Sequence, residues 1–198
     1  MISKAWQVTL PSKANHQDLN ESEQQTSKAA LEFVRNDGTR LVLWPDNNRI
    51  AEAFAKQLGR LGIIKYSGDV GNLNAPWFGS WNFVRKHWLL TGLPVDCAMD
   101  WRYGISAFNG PAWLQERPRG SITDGYMMDA PGMQTFVGFG ADHNTHVGVA
   151  GCVIPCGKGE IVFYSLPQMV TSLQPGNHAI HPAIARRLLA NALIPQPQ

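Results

Sequence analysis

Two imidazoles and a carboxylate fall within five residues at Asp142-His143-Asn144-Thr145-His146. Imidazole nitrogen and carboxylate oxygen are ordinary ligands of zinc and other divalent metals, and the spacing lets Asp142, His143 and His146 share one ion, with His87 as a partner from elsewhere in the chain. A small metal-dependent hydrolase is the activity such a loop would serve. The same residues also suit a hydrogen-bonded turn in which Asp142 and Asn144 cap backbone N–H groups. His178 and His181 stand near a helix start and read as surface or capping residues.

Tryptophans form the second group. Five of the seven, Trp77, Trp81, Trp88, Trp101 and Trp113, fall between residues 67 and 131 among many Gly, Asn and Pro. Indole and phenol faces stack on sugar rings while amide and carboxylate edges fix their orientation, so Trp77, Trp81, Trp101, Tyr103 and Trp113 are candidates for a carbohydrate or interface platform. The competing reading is that these rings close a core over a sheet. Asp96, Asp100, Asp124 and Asp129 lie in or near the same stretch, but glycoside cleavage needs two carboxylates held about 5–10 Å apart, and a sequence does not pair them.

Nucleophilic catalysis finds no support. Cys97, Cys152 and Cys156 do not follow a strand and open a helix between glycines, where a thiol pKa would be lowered, and they read as small buried hydrophobes. No Gly-x-Ser-x-Gly elbow occurs, and Ser165 is followed by Leu166-Pro167 rather than a helix start. No Gly-rich phosphate loop is present, so no nucleotide cofactor is expected.

The elements that must position these residues follow from composition and periodicity. The chain has 198 residues, 44% hydrophobic and 16% charged, enough for one well-buried domain. Net charge is +2 without a basic run, which argues against nucleic-acid binding, and the apolar runs fall far short of the roughly 18 residues of a membrane span. A soluble protein is expected, with no signal peptide visible in this chain and its compartment open.

A β-prone stretch at residues 5–11 leads through polar residues to a helix from Thr26 with Ala29, Ala30, Phe33 and Val34 on one face, stopped at Asn36-Asp37-Gly38. Leu41-Val-Leu-Trp44 reads as a parallel strand buried on both faces, and Pro45-Asp46-Asn47-Asn48 supplies a break and a helix cap. Ile50, Ala53, Phe54, Leu58 and Leu61 mark a second helix, and Ile63-Ile-Lys-Tyr66 another strand, which completes a βαβ rhythm. Residues 67–131 read as a loop-rich aromatic excursion. Strands return at 134–140 and 146–154, then a hairpin turn at 155–159 and a strand at 159–164. A helix from His181 to Leu193 and a Pro-Gln tail at 194–198 close a single domain.

Three stretches carry a family likeness: Ala30-Leu-Glu-Phe-Val-Arg-Asn-Asp-Gly-Thr-Arg-Leu-Val-Leu43, Val84-Arg-Lys-His-Trp-Leu-Leu-Thr-Gly-Leu-Pro94, and Gly157-Lys-Gly-Glu-Ile-Val-Phe-Tyr-Ser-Leu-Pro167 with the helix at 184–193. Together, over residues 26–193, they resemble the class I glutamine amidotransferase-like, flavodoxin-like domains found as C-terminal modules of glycoside hydrolase family 2, β-galactosidase-like proteins. Asp37-Gly38 stands where that pattern has two glycines, and Trp88 where it has proline.

The resemblance implies an α/β fold: a parallel-sheet, three-layer sandwich with the Trp-rich excursion and a C-terminal β-hairpin. It does not carry amidase activity over, because the Gly-x-Cys-x-Gly elbow and the His-x-Glu of a working amidotransferase are missing. Sugar-cleaving carboxylates in such proteins belong to a separate barrel that this chain is too short to contain. It therefore implies a non-catalytic accessory module. Its partners would be companion glycoside hydrolase domains, a second copy of itself or a carbohydrate, with parent proteins either secreted or periplasmic.

Overall fold

The computed structural model describes residues 5–8, 19–45, 47–70, 80–99, 103, 125–141, 145–166 and 182–194. At one end of its sheet β2 (Arg40–Leu43) lies parallel to the edge strand β1 (Ala5–Val8) on one side and to β9 (Gly159–Tyr164) on the other. All four β2 residues are buried, because helices cover both faces of the sheet here and every side chain meets a core.

Helix α1 (Glu21–Asp37) starts earlier than Thr26 because Asn20 caps it reciprocally with Glu23. Asn20 Oδ1 accepts the Glu23 N–H at 2.9 Å, and Glu23 Oε2 accepts the Asn20 N–H at 2.8 Å. The helix stops at Gly38, whose φ of 68° continues the chain in the left-handed region. Asn47 caps α2 (Asn48–Arg60) through the Ile50 N–H. α1 buries Leu31 and Val34 but leaves Ala29 and Phe33 of the expected face exposed, and α2 buries Ile50, Phe54 and Leu58, all packed with Leu41, Leu43, Ile161 and Phe163 in one cluster. On the opposite face Val42, Trp44, Val162 and Tyr164 join Leu188 and Ala192 of α3 (Pro182–Leu193) in a second cluster. The result is three layers, helix, sheet and helix.

The sheet is mixed rather than parallel throughout. Beyond β9 the order continues antiparallel through β8 (Gly148–Cys156), β7 (Gln134–Ala141), β4 (Ser80–Val84) and β5 (Cys97–Ala98). The excursion at 67–131 thus supplies strands: β4, β5 and β6 (Tyr126–Asp129), the last joined to β8 at Tyr126↔Val149. The strand read at 63–66 begins later, as β3 (Lys65–Asp69), and runs antiparallel to β6 instead of joining the parallel set. The reason is Gly62, whose φ of 67° turns the chain after α2 and leaves Ile63 and Ile64 as connection, packed with the α1–α2 cluster.

The C-terminal hairpin is present, with Gly157-Lys158 between β8 and β9. Gly157 has φ of 61°, and a Cβ on it would lie 2.6 Å from the Arg35 carbonyl oxygen, so the turn fits against the end of α1 only as glycine.

Arg40 ties the layers together. Its Nε meets Glu160 of β9 at 2.5 Å, its Nη1 donates to the carbonyls of Ala192 and Ile194 at 3.1 and 2.7 Å, and its guanidinium sits 4.4 Å from the Trp88 ring centroid. One buried cation so caps the C-terminus of α3, pairs with the neighbouring strand and stacks on an indole. Asn191 adds bonds from α3 to the carbonyls of Leu89 and Thr91, around the 3-10 turn Trp88–Leu90. Among the described residues no helix is long and apolar enough to cross a membrane.

Candidate functional site

Strand alternation sends Asn82 and Val84 of β4 into the core and Trp81 and Phe83 to the other face. Directly across on β7, Trp81 pairs with Gly140 and Phe83 with Gly138. Without a side chain at Gly140, both rings close over its backbone. A Cβ added to Gly140 would stand 3.3 Å from the Phe83 ring and 3.4 Å from Trp81 Nε1. Trp81 and Phe83 meet edge to face, with centroids 6.0 Å apart and planes at 89°. Phe83 is 43% exposed and Trp81 half-buried. Among the described elements, α1 packs on β2, β8 and β9 while α2 packs on β3 and β6, so neither covers this face.

The arrangement is a corner of two rings set edge to face over the buried Gly140 backbone, with Phe83 the more exposed. It can take up a flat, partly apolar group and exclude water from it. Of the platform read from sequence, Trp81 is the member that stands here among the described residues. Tyr103 is fully buried in the core and donates its hydroxyl to the Pro94 carbonyl, so it packs the fold and offers no surface. Trp77, Trp101 and Trp113 lie outside the described residues. Sequence reading missed Phe83 and the Gly140 that lets the rings close over the sheet, although the alternation Trp81-Asn-Phe83-Val was there to be read.

Of the candidate metal loop, Asp142 and His143 lie outside the described residues, and His146 is exposed just before β8. His87 does not join it. The His87 Nε2 bonds Gln134 Oε1 at 3.0 Å at the start of β7, whereas Gly148, two residues after His146, pairs with Phe139 near the end of β7. The two imidazoles therefore sit at opposite ends of that strand. His87 instead organises the 3-10 turn: its Nδ1 accepts the Leu89 N–H at 3.2 Å and its ring stacks on Phe136 at 5.0 Å. Burial lowers its pKa, against the bond to Gln134 and the charge of Glu160. Among the described residues no three His, Cys, Asp or Glu side chains converge on a metal-sized point.

The acids are likewise apart. Asp96 is exposed near β5, where its Oδ1 accepts the Lys86 N–H at 3.1 Å, and Asp129 is exposed on β6, with β4, β7 and β8 between β5 and β6 in the sheet. Asp100 and Asp124 lie outside the described residues. Cys152 and Cys156 are buried within β8 and Cys97 is half-buried on β5, none of them in a disulfide. Burial pushes the Cys152 thiol far up, the opposite of what an attacking thiolate requires.

No family model, curated protein or solved structure matches the chain.

Proposed function

We propose that this chain is a non-catalytic accessory module of a carbohydrate-active protein, working by contact: sugar on the Trp81–Phe83 corner, and packing against a companion domain or second copy. The observation that carries the reading is the aromatic pair, Phe83 exposed and Trp81 half-buried, set edge to face over the Gly140 backbone. A pyranose ring has one face of C–H groups and a rim of hydroxyls, which suits an apolar floor open to water at its edge. The helix–sheet–helix layering fits the finer family reading, a class I glutamine amidotransferase-like, flavodoxin-like domain of the kind attached to glycoside hydrolase family 2 proteins. The antiparallel strands β7, β4 and β5 would be an addition to that core.

The test is an oligosaccharide array on the purified chain, rich in β-galactosides, followed by titration of the best binder against Trp81→Ala. Loss of at least about tenfold in affinity, or ~1.4 kcal/mol, is expected with the melting temperature kept. Equal affinity in both proteins would remove the corner from the account.

A further inference from the structure

We infer that the hollow between the last turns of α2 and the start of β3 is a binding site for a small organic phosphate monoester, separate from the Trp81–Phe83 corner and independent of the carbohydrate reading. Six described residues line it: Lys56, Gly59 and Arg60 from α2, and Ile64, Lys65 and Tyr66 from the chain entering β3. Its volume is about 480 Å³, in the range of small-molecule pockets and larger than a bare ion needs.

The hollow follows from the local fold. Gly62, with φ of 67°, turns the chain after α2, and β3 then packs beside the helix it has just left. Gly59 keeps that approach close, because a Cβ on it would stand 2.9 Å from the Tyr66 Cβ. The phenol therefore lies along the helix, and its hydroxyl reaches back to donate to Glu52 Oε1 at 3.4 Å. Ile64 and Tyr66 bring the largest apolar side chains of the lining.

Charge decides what such a hollow holds. Lys56, Arg60 and Lys65 make up half of the lining, and no carboxylate is among the described residues that complete it. The helix dipole accounts for Arg60 in the last turn of α2, and Glu52 for Lys56, whose Nζ it meets at 2.8 Å. Lys65 comes from another element, the exposed first position of β3, and Asp129 across from it on β6 does not line the hollow. Burial, and after it the charge of Glu52, pushes the Tyr66 phenol far up, so Tyr66 keeps its proton and adds no negative charge. Ammonium and guanidinium groups only donate, so the ligand must supply acceptors. A phosphate monoester brings three acceptor oxygens and about 1.5 to 2 negative charges at pH 7, which answers three cations of which one is shared with Glu52. A carboxylate brings less charge, a neutral polyol none, and a cationic ligand is repelled.

The experiment is calorimetric titration of glycerol 3-phosphate, inorganic phosphate and glycerol, at low ionic strength, into the wild type, Lys65→Gln, Arg60→Gln and Lys28→Gln. Lys28 is exposed on α1, outside the hollow, and its replacement removes the same single charge. Glycerol 3-phosphate should bind the wild type about twofold or more tighter than inorganic phosphate, because the hollow has room for the esterified group, and glycerol should not bind. Its affinity should fall about fivefold in Lys65→Gln and in Arg60→Gln, as for exposed ion pairs, and stay unchanged in Lys28→Gln. Should Arg60→Gln fold poorly, Lys65→Gln, at an exposed strand position, carries the comparison. No binding to the wild type, wild-type affinity in the hollow variants, or an equal loss in Lys28→Gln overturns the site. Inorganic phosphate binding as tightly as glycerol 3-phosphate overturns its assignment to an ester.

Discussion

The two halves of the sheet treat their aromatic residues in opposite ways. In the parallel part Phe163 and Tyr164 are wholly buried, one on each face, because α1 and α2 cover one side and α3 the other. In the antiparallel part Phe136 and Phe139 are buried, yet on β4 Phe83 stands 43% exposed beside Gly140. The same side chain thus does two jobs, and the layer above it decides which. A covered face spends its aromatic rings on stability, while a face left open by the helices can present them to a ligand.

That contrast predicts unequal mutational costs. Phe163→Ala should lose about 3–5 kcal/mol, as for other buried phenylalanines, whereas Phe83→Ala should lose about 1 kcal/mol or less. Urea denaturation of both variants measures the gap, and similar losses would erase the distinction between the two faces. Next in size is Arg40→Met, which leaves Glu160 without its partner and the last carbonyls of α3 without a donor. We expect about 2–3 kcal/mol, below the figure for a fully buried pair because the Glu160 side chain is 27% exposed. Glu160→Gln added to Arg40→Met should recover part of the loss.

A smaller effect is expected where the halves meet. His87 caps the 3-10 turn through an unprotonated Nδ1, and burial holds its pKa below the usual value. The unfolded chain takes the proton more readily, so stability rises with pH: the contribution is complete above about pH 6.5 and declines as pH falls below it. Thermal melts from pH 5 to 8 should slope accordingly for the wild type and flatten in His87→Gln. An unchanged slope in that variant would place the titrating group elsewhere.

Much of the covered half was legible in the sequence. The continuous apolar run Leu41–Trp44 announces a strand buried on both faces, and Gly38 and Asn47 punctuate the helices beside it. The start of α1 was legible too, in the capping pair Asn20 and Glu23, but the polar residues between it and Thr26 hide it from a reading based on apolar spacing. The antiparallel half was harder for a physical reason. Strands β4 and β7 pair across about fifty residues of chain, and local pattern fixes neither partner nor direction. Tyr103 illustrates the limit at the candidate site. An aromatic residue in an irregular segment has the same local sequence whether it fills a core or faces a sugar, and only the packed fold distinguishes Tyr103 from Phe83.

The most direct measurement is calorimetric titration of the best array ligand into the wild type, Trp81→Ala, Phe83→Ala and Phe33→Ala. Phe33 lies on α1, outside the corner, and is 60% exposed, more than Phe83. The account predicts affinity weakened about tenfold or more in Trp81→Ala and Phe83→Ala and unchanged in Phe33→Ala. Wild-type affinity in both corner variants, or an equal loss in Phe33→Ala, would contradict it.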